Sequence, residues 1–184
     1  EVQVITPHGF CEGVLNAIRI AKAARNDHPT ATIHVIGSLV HNEEVKVEFE
    51  KNNFVFHDEF IKPLSQWMAE IPGGSVIVFA AHGHEKSLDE IAKKKGLIIY
   101  DTTCRFVQQN ASMIKQEVDS CHQVIYIGKE GHAECIGALS IDSAQVHLCD
   151  PSEIEADSSW KHLDEKQPAV ISQTTMDLAD LETA

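Results

Sequence analysis

The sequence contains no Cys-x-x-Cys pair, no apolar run longer than a β-strand and no basic patch. Each gap removes a class of protein. Without paired Cys-x-x-Cys ligands, a zinc knuckle or ribbon is disfavoured. The longest apolar stretches, such as Ser75–Ala81, fall far short of the roughly 20 residues needed to cross a bilayer. No charged-then-apolar signal segment opens the sequence, so a cytoplasmic location is expected. Lys and Arg total 15 against 28 Asp and Glu, a net charge of −13. That balance argues against a surface for nucleic acid or an anionic membrane. The one short cationic cluster, Lys93-Lys94-Lys95, reads as the solvated end of a helix, where cations complement the dipole. An anionic ligand would need local donors rather than a bulk positive field.

What is present suits an ordinary globular protein. The 184 residues are 43% hydrophobic and 23% charged, enough to bury the core of one large domain or two small ones. The five cysteines are expected to be metal-binding, catalytic or simply buried rather than disulfide-linked, given the intracellular setting. Most of the 11 histidines, including His28, His57, His122 and His162, are expected in loops or at helix ends without a special role.

Strands are predicted at Val2–Thr6, Ala31–Ile36, Phe54–Phe56, Ser75–Ala81, Leu97–Tyr100, Gln123–Ile127, Gln145–Leu148 and Pro168–Ser172. Helical spacing recurs from Gly13 to about Arg25 through Val14, Ala17, Ile18, Ala21 and Ala24. Further helices are predicted from about Asn42 to Lys51, over Lys86–Lys95, from Cys104 to about Ser120, from His132 to about Ile141, and from Asp177. Strands alternating with helices predict an α/β fold of parallel sheets covered on both faces, in which ligands bind beyond the carboxyl ends of the strands. Cys11, His41, His82, Cys104 and His132 each follow a predicted strand by a few residues, and Thr174 and Thr175 follow the last one. Val2–Cys11 and Leu97–Cys104 share the order strand, turn, cysteine, helix. This echo suggests two similar lobes, with a boundary at Gly96 or the turn Asp101–Thr103.

A thiolate at a helix start is stabilised by the exposed N–H groups and the dipole, and Cys11 and Cys104 both occupy that position. Either alone reads equally well as a small buried residue, but two in the same local context favour ligands. Cys121 and Cys135 read as buried, and Cys149, after a strand, is a weaker ligand candidate. His41, His82 and His132 stand where apolar strands give way to polar turns. They can donate to phosphate oxygens, or merely cap their turns. Glu134, two residues after His132, is either a proton relay or a first-turn acid favoured by the helix dipole. The hydroxyls of Thr174 and Thr175 can orient a substrate alcohol or cap the final helix.

In order, Gly9-Phe10-Cys11-Glu12-Gly13-Val14, Val40-His41-Asn42, Ala81-His82-Gly83, Thr103-Cys104, Gly131-His132-Ala133-Glu134 and Gln173-Thr174-Thr175 resemble 4-hydroxy-3-methylbut-2-enyl diphosphate reductase, the IspH or LytB family. Each motif alone is weak, but all six stand in register across the chain. The resemblance implies a [4Fe–4S] oxidoreductase of non-mevalonate isoprenoid biosynthesis. It removes the allylic hydroxyl of its diphosphate substrate with two electrons and two protons, giving isopentenyl and dimethylallyl diphosphate. By motif, Cys11 and Cys104 would be two of three cysteine ligands. His41, His82 and His132 would line the diphosphate site, with His132, Glu134 and Thr174 catalytic. Glu134 would supply protons and Thr174 would orient the hydroxyl end. The implied electron donor is a ferredoxin or a flavodoxin.

The resemblance implies three α/β lobes, of which this sequence carries two. The expected division is 1–102, with 1–13 a strand and turn that pack apart, and 103–184. The third cysteine and a diphosphate-binding Ser-x-Asn segment, both in the family's third lobe, are not found here. His8 replaces the usual Arg, Arg105 the usual Pro, and Cys135, Ile136 and Ala138 depart from the usual Val-x-Gly-Thr pattern, although Gly137 is kept. These departures motivate an alternative, a non-catalytic relative that binds an anionic metabolite or a protein partner. A zinc hydrolase built on the histidines is a third reading, supported only by the pair in His82-Gly83-His84.

Overall fold

A computed structural model describes residues 3, 9–152, 163 and 167–183. Apart from Gln3, the strand predicted over Val2–Thr6 lies outside the described residues, as do the turn through His8 and His162. The chain divides into two compact units. One takes in the residues up to Ala81 together with Lys95–Cys104, and the other takes in His82–Lys94 together with the residues from Arg105 onward.

The first unit opens with α1 (Glu12–Asp27), where Ala17, Ala21 and Ala24 recur at helical spacing and are all fully buried. Small side chains on that stripe let the helix backbone lie close against the sheet. There follow β1 (Ile33–Ile36), α2 (Glu43–Glu50), β2 (Phe54–His57), α3 (Leu64–Glu70) and β3 (Val76–Phe79). Helix α4 (Lys86–Lys95) belongs to the second unit but for its last residue, and β4 (Ile98–Asp101) returns to the first. The sheet is entirely parallel in the order β2-β1-β3-β4, with Ile33 in register with both Phe54 and Val76, and Val76 with Ile98. All four residues of β3 are buried, as its continuous apolar run requires of a central parallel strand. Coverage of both faces does not extend to β4, whose Ile98 and Ile99 are 41% and 42% exposed.

The second unit holds α5 (Arg105–Asp119), β5 (Val124–Ile127), α6 (Ala133–Leu139), β6 (Val146–Cys149), β7 (Ala169–Ser172) and α7 (Leu178–Thr183). Its parallel sheet runs β6-β5-β7, with Val124 opposite both Val146 and Ala169. Ile114, Val124, Tyr126, Cys135, Ala138, Val146 and Ile171 form its core. In both units the first strand lies between the second and the third, and in the first unit β4 adds beyond β3. No helix among the described residues is long and apolar enough to cross a membrane.

Two local expectations need correction. Helix α3 was not anticipated, because Pro63 at its start and only seven residues leave no amphipathic period to read. His57 is not a loop residue: it ends β2, is 7% exposed, and stacks on His34 of the neighbouring strand with ring centroids 5.1 Å apart. Nε2 of His57 lies 2.9 Å from Nδ1 of His34, while Nδ1 of His57 has no hydrogen-bond partner. The less costly arrangement has His57 Nε2–H donating to His34, which leaves only a bare lone pair unsatisfied.

Burial pushes His57 down to about 4, with His34 and Lys62 adding to the effect and Glu70 opposing it. The unfolded chain takes up this proton near 6.5, its ordinary value, and the folded chain only near 4. Stability from this site is therefore fully present above the unfolded value and is lost as pH falls through the window between them, by up to about 3 kcal/mol. The midpoint of urea unfolding should drop between pH 7 and pH 4.5 more steeply in the parent protein than in His57→Leu. Parallel pH profiles for the two would refute the assignment.

Candidate active site

The two helix-start cysteines come together in the first unit. Cys11 is the N-cap of α1, in extended conformation, and its carbonyl accepts the N–H of Leu15 at 3.0 Å. Its thiol makes no capping bond. Cys104 is fixed by the way the chain leaves β4. The buried Thr102 donates its hydroxyl to the carbonyl of Phe79 at 2.6 Å, and the N–H of Cys104 donates to the carbonyl of Ala81 at 2.9 Å. The end of β4 thus stays tied to the end of β3, and Cys104 directly precedes α5.

Gly13 shows how close the two thiols are. A Cβ at this position would stand 2.9 Å from Sγ of Cys104 and 3.8 Å from Sγ of Cys11. Only glycine leaves that cradle open. Two sulfurs converging on a gap at a helix start form a donor set suited to thiolate ligation of iron. His41, in the same unit, is exposed just before α2, whose first turn is capped by Oδ1 of Asn42 on the N–H of Val45 at 3.0 Å.

The second unit brings together two further pairs. His132 is the N-cap of α6, its Nδ1 accepting the N–H of Glu134 at 3.1 Å. In the neutral ring the proton is thereby placed on Nε2, which can donate to an anion. The His132 ring meets that of His82 edge to face, with centroids 5.8 Å apart.

Glu134 is 3% exposed and paired with Thr174, forty residues on. The N–H of Thr174 donates to Oε2 at 2.9 Å, and its hydroxyl lies 2.6 Å from Oε1. The reading of Glu134 as a simple first-turn acid does not account for this burial. Tyr126, fully buried, directs its hydroxyl towards Oε2 of Glu134 at 3.5 Å. Burial, and then the charge of Glu134, raise its pKa, so the hydroxyl keeps its proton and can donate. Asn110 hydrogen-bonds Tyr126 and donates to the carbonyl of Ser172 at 2.8 Å.

Sequence reasoning passed over Tyr126 and the side chain of Gln173. A tyrosine in the run Val124-Ile125-Tyr126-Ile127 reads as core, and only its hydroxyl, which needs a partner when buried, hinted at more. The other cysteines sort by burial. Cys135 is buried, and desolvation, then the neighbouring Glu134, push its thiol up to about 12. Cys149 is the last residue of β6 rather than a loop residue, and it is buried. Cys121, expected inside, is exposed at a left-handed position after α5 with φ 60°. That tight exit turns its side chain to solvent.

These features define a parallel α/β protein with paired helix-start thiols in one unit and a buried carboxylate–threonine pair in the other. The LytB protein family model matches residues 2–184. The chain belongs to the LytB family. It is similar to the 4-hydroxy-3-methylbut-2-enyl diphosphate reductases of Malacoplasma penetrans (32% identical, 97% of this chain and 60% of the relative) and Anoxybacillus flavithermus (35%, 98% and 56%). Among solved structures it is similar to the E-1-hydroxy-2-methyl-but-2-enyl-4-diphosphate reductase of Plasmodium falciparum. That match has a TM-score of 0.82 and 26% identity over 96% of this chain and 52% of the other. The chain thus spans little more than half the length of the relatives it matches.

Proposed function

We propose that this chain carries the first two lobes of a 4-hydroxy-3-methylbut-2-enyl diphosphate reductase acting in non-mevalonate isoprenoid biosynthesis. The observation that carries the reading is the convergence of Cys11 and Cys104 on the open side of Gly13. Cys11 and Cys104 would hold a [4Fe–4S] cluster together with a third thiolate that is not found in this sequence. When bound, such a cluster supplies one-electron steps from a ferredoxin or flavodoxin and a Lewis-acidic iron for the substrate hydroxyl.

The chain's own residues bind, orient and move protons. His41, His82 and His132 donate to the diphosphate oxygens; for His132 the donor is Nε2–H, because Nδ1 is engaged by the backbone of Glu134. Thr174 orients the hydroxyl end of the substrate. Glu134, held between the backbone and hydroxyl of Thr174, passes a proton to the departing oxygen. The reaction breaks the allylic C–O bond and consumes two electrons and two protons. Oxygen leaves as water, and one proton ends on carbon. The names of the relatives lend no support to the non-catalytic alternative.

Anaerobic reconstitution with iron and sulfide tests this reading. A brown protein with broad absorption near roughly 400 nm is expected, as for thiolate-bound clusters. Adding the allylic diphosphate should perturb that spectrum. A colourless, iron-free protein after reconstitution would refute cluster binding.

A further inference from the structure

The second unit contains a polar group that is buried as deeply as Glu134 and that no step above uses. Gln173, the residue before Thr174, is 4% exposed. Its Oε1 accepts the backbone N–H of Lys129 at 3.0 Å and the thiol of Cys135 at 3.4 Å. Its Nε2 donates to the hydroxyl of Thr175 at 2.6 Å. Its own N–H donates to the carbonyl of Ile127 at 2.7 Å. One side chain thus ties together the loop after β5, the first turn of α6 and the loop after β7.

These contacts form a ladder of two rungs. Adjacent residues of α6, Glu134 and Cys135, face adjacent residues of the loop, Thr174 and Gln173. The lower rung is packed without slack: a Cβ on Gly128 would stand 2.5 Å from Sγ of Cys135 and 3.0 Å from Oε1 of Gln173. The Cys135 thiol stays protonated, so it donates rather than repels. Losing the Gln173 side-chain contacts leaves the loop after β7 with fewer ties, chiefly the backbone bond to Ile127 and the upper rung itself, so that Thr174 can shift by about an ångström. A shift of that size in a proton donor costs rate out of proportion to its effect on binding.

We propose that Gln173 is a positioning residue for the Glu134–Thr174 pair, fixing through Lys129, Cys135 and Thr175 the place from which Glu134 delivers its proton. This rests on the reading of Glu134 as the proton donor. It requires the side-chain amide specifically, because its oxygen serves two donors and its nitrogen serves Thr175.

Gln173→Met keeps length and removes both functions, whereas Gln173→Glu keeps the acceptor and loses the donor to Thr175. Both are made in the full 184-residue chain. With isotope-labelled, metal-free protein, amide exchange at Thr174 should accelerate at least about tenfold in Gln173→Met, and the Glu134 carboxyl ¹³C resonance should move. Amides of Val124 and Tyr126, in the central strand, should keep their protection. Gln173→Glu should lie between the two and provides the same readouts if Gln173→Met does not fold. In reconstituted protein, kcat should fall about tenfold with KM unchanged, as for a misplaced catalytic group. A folded variant with parental Thr174 exchange and an unmoved Glu134 resonance overturns the proposal, whatever turnover does. An unchanged rate in Glu134→Gln would instead overturn the proton role and leave the exchange result standing on its own.

Discussion

Replacing Cys104 by serine should abolish stable iron binding, lowering the iron retained after reconstitution and desalting at least about tenfold. Cys11→Ser should do the same. The physical reason is the ligand set. Soft thiolates hold iron–sulfur clusters, and a serine hydroxyl is both a harder donor and far more reluctant to ionise. The gap beside Gly13 is lined by these two sulfurs, so losing either leaves one thiolate where two converge. The controls follow from burial. Cys121 is exposed at a left-handed turn, and Cys121→Ser should retain parental iron. Cys135→Ser should also retain it, since that thiol is engaged with Gln173. Gly13→Ala gives an independent check, because it adds no charge and removes no ligand. Its new methyl would meet Sγ of Cys104 at 2.9 Å, and iron uptake should fall although both thiols are present. Iron content and visible absorption measure all five variants. Parental iron in Cys11→Ser and Cys104→Ser would show that these thiols are merely neighbours.

Much of the fold was legible because its strands are short apolar runs with sharp punctuation. Ser75–Ala81 follows Pro72-Gly73-Gly74 and emerges as β3 at Val76–Phe79. Helix α4 occupies Lys86–Lys95, as its pattern predicts. The strand order was not legible, since nothing local to β1 says that it lies between β2 and β3. Nor was the partner of Glu134. A carboxylate two residues past a histidine looks like any first-turn acid, and only the sheet brings the loop after β7 to it. His57 was misjudged for a related reason. A histidine ending a strand of three apolar residues reads as the start of a loop, and its burial comes from the stacked His34 and from Trp67, 4.9 Å away. The motif residues were legible as chemistry, whereas the contacts that hold them, through the side chains of Gln173 and Tyr126 and the close approach at Gly128, were not.

Glu134→Gln should leave iron content, fold and diphosphate binding near parental values and lower the rate of reductive dehydroxylation by about 10²–10⁴-fold, the range for a lost general acid. The substitution is close to isosteric. The amide oxygen can still accept from the N–H of Thr174, so the loop after β7 should keep its place. What changes is the proton. A carboxylic acid can donate to the departing oxygen and be replenished, whereas an amide cannot. Glu134→Ala is a poorer probe, because it also removes the carboxylate that faces the Thr174 N–H, the Thr174 hydroxyl and the buried Tyr126 hydroxyl. Each unsatisfied group costs about 1–3 kcal/mol, so lost stability would blur the reading. Thr174→Val separates orientation from proton supply. It keeps the backbone donor to Oε2 and deletes only the hydroxyl near Oε1. If Thr174 mainly orients substrate, KM should rise more than kcat falls, the reverse of the Glu134→Gln pattern. Single-turnover product formation with pre-reduced protein isolates the chemical step. A Glu134→Gln protein that turns over at the parental rate would show that the departing oxygen takes its proton from another group, and that the buried carboxylate serves the fold alone.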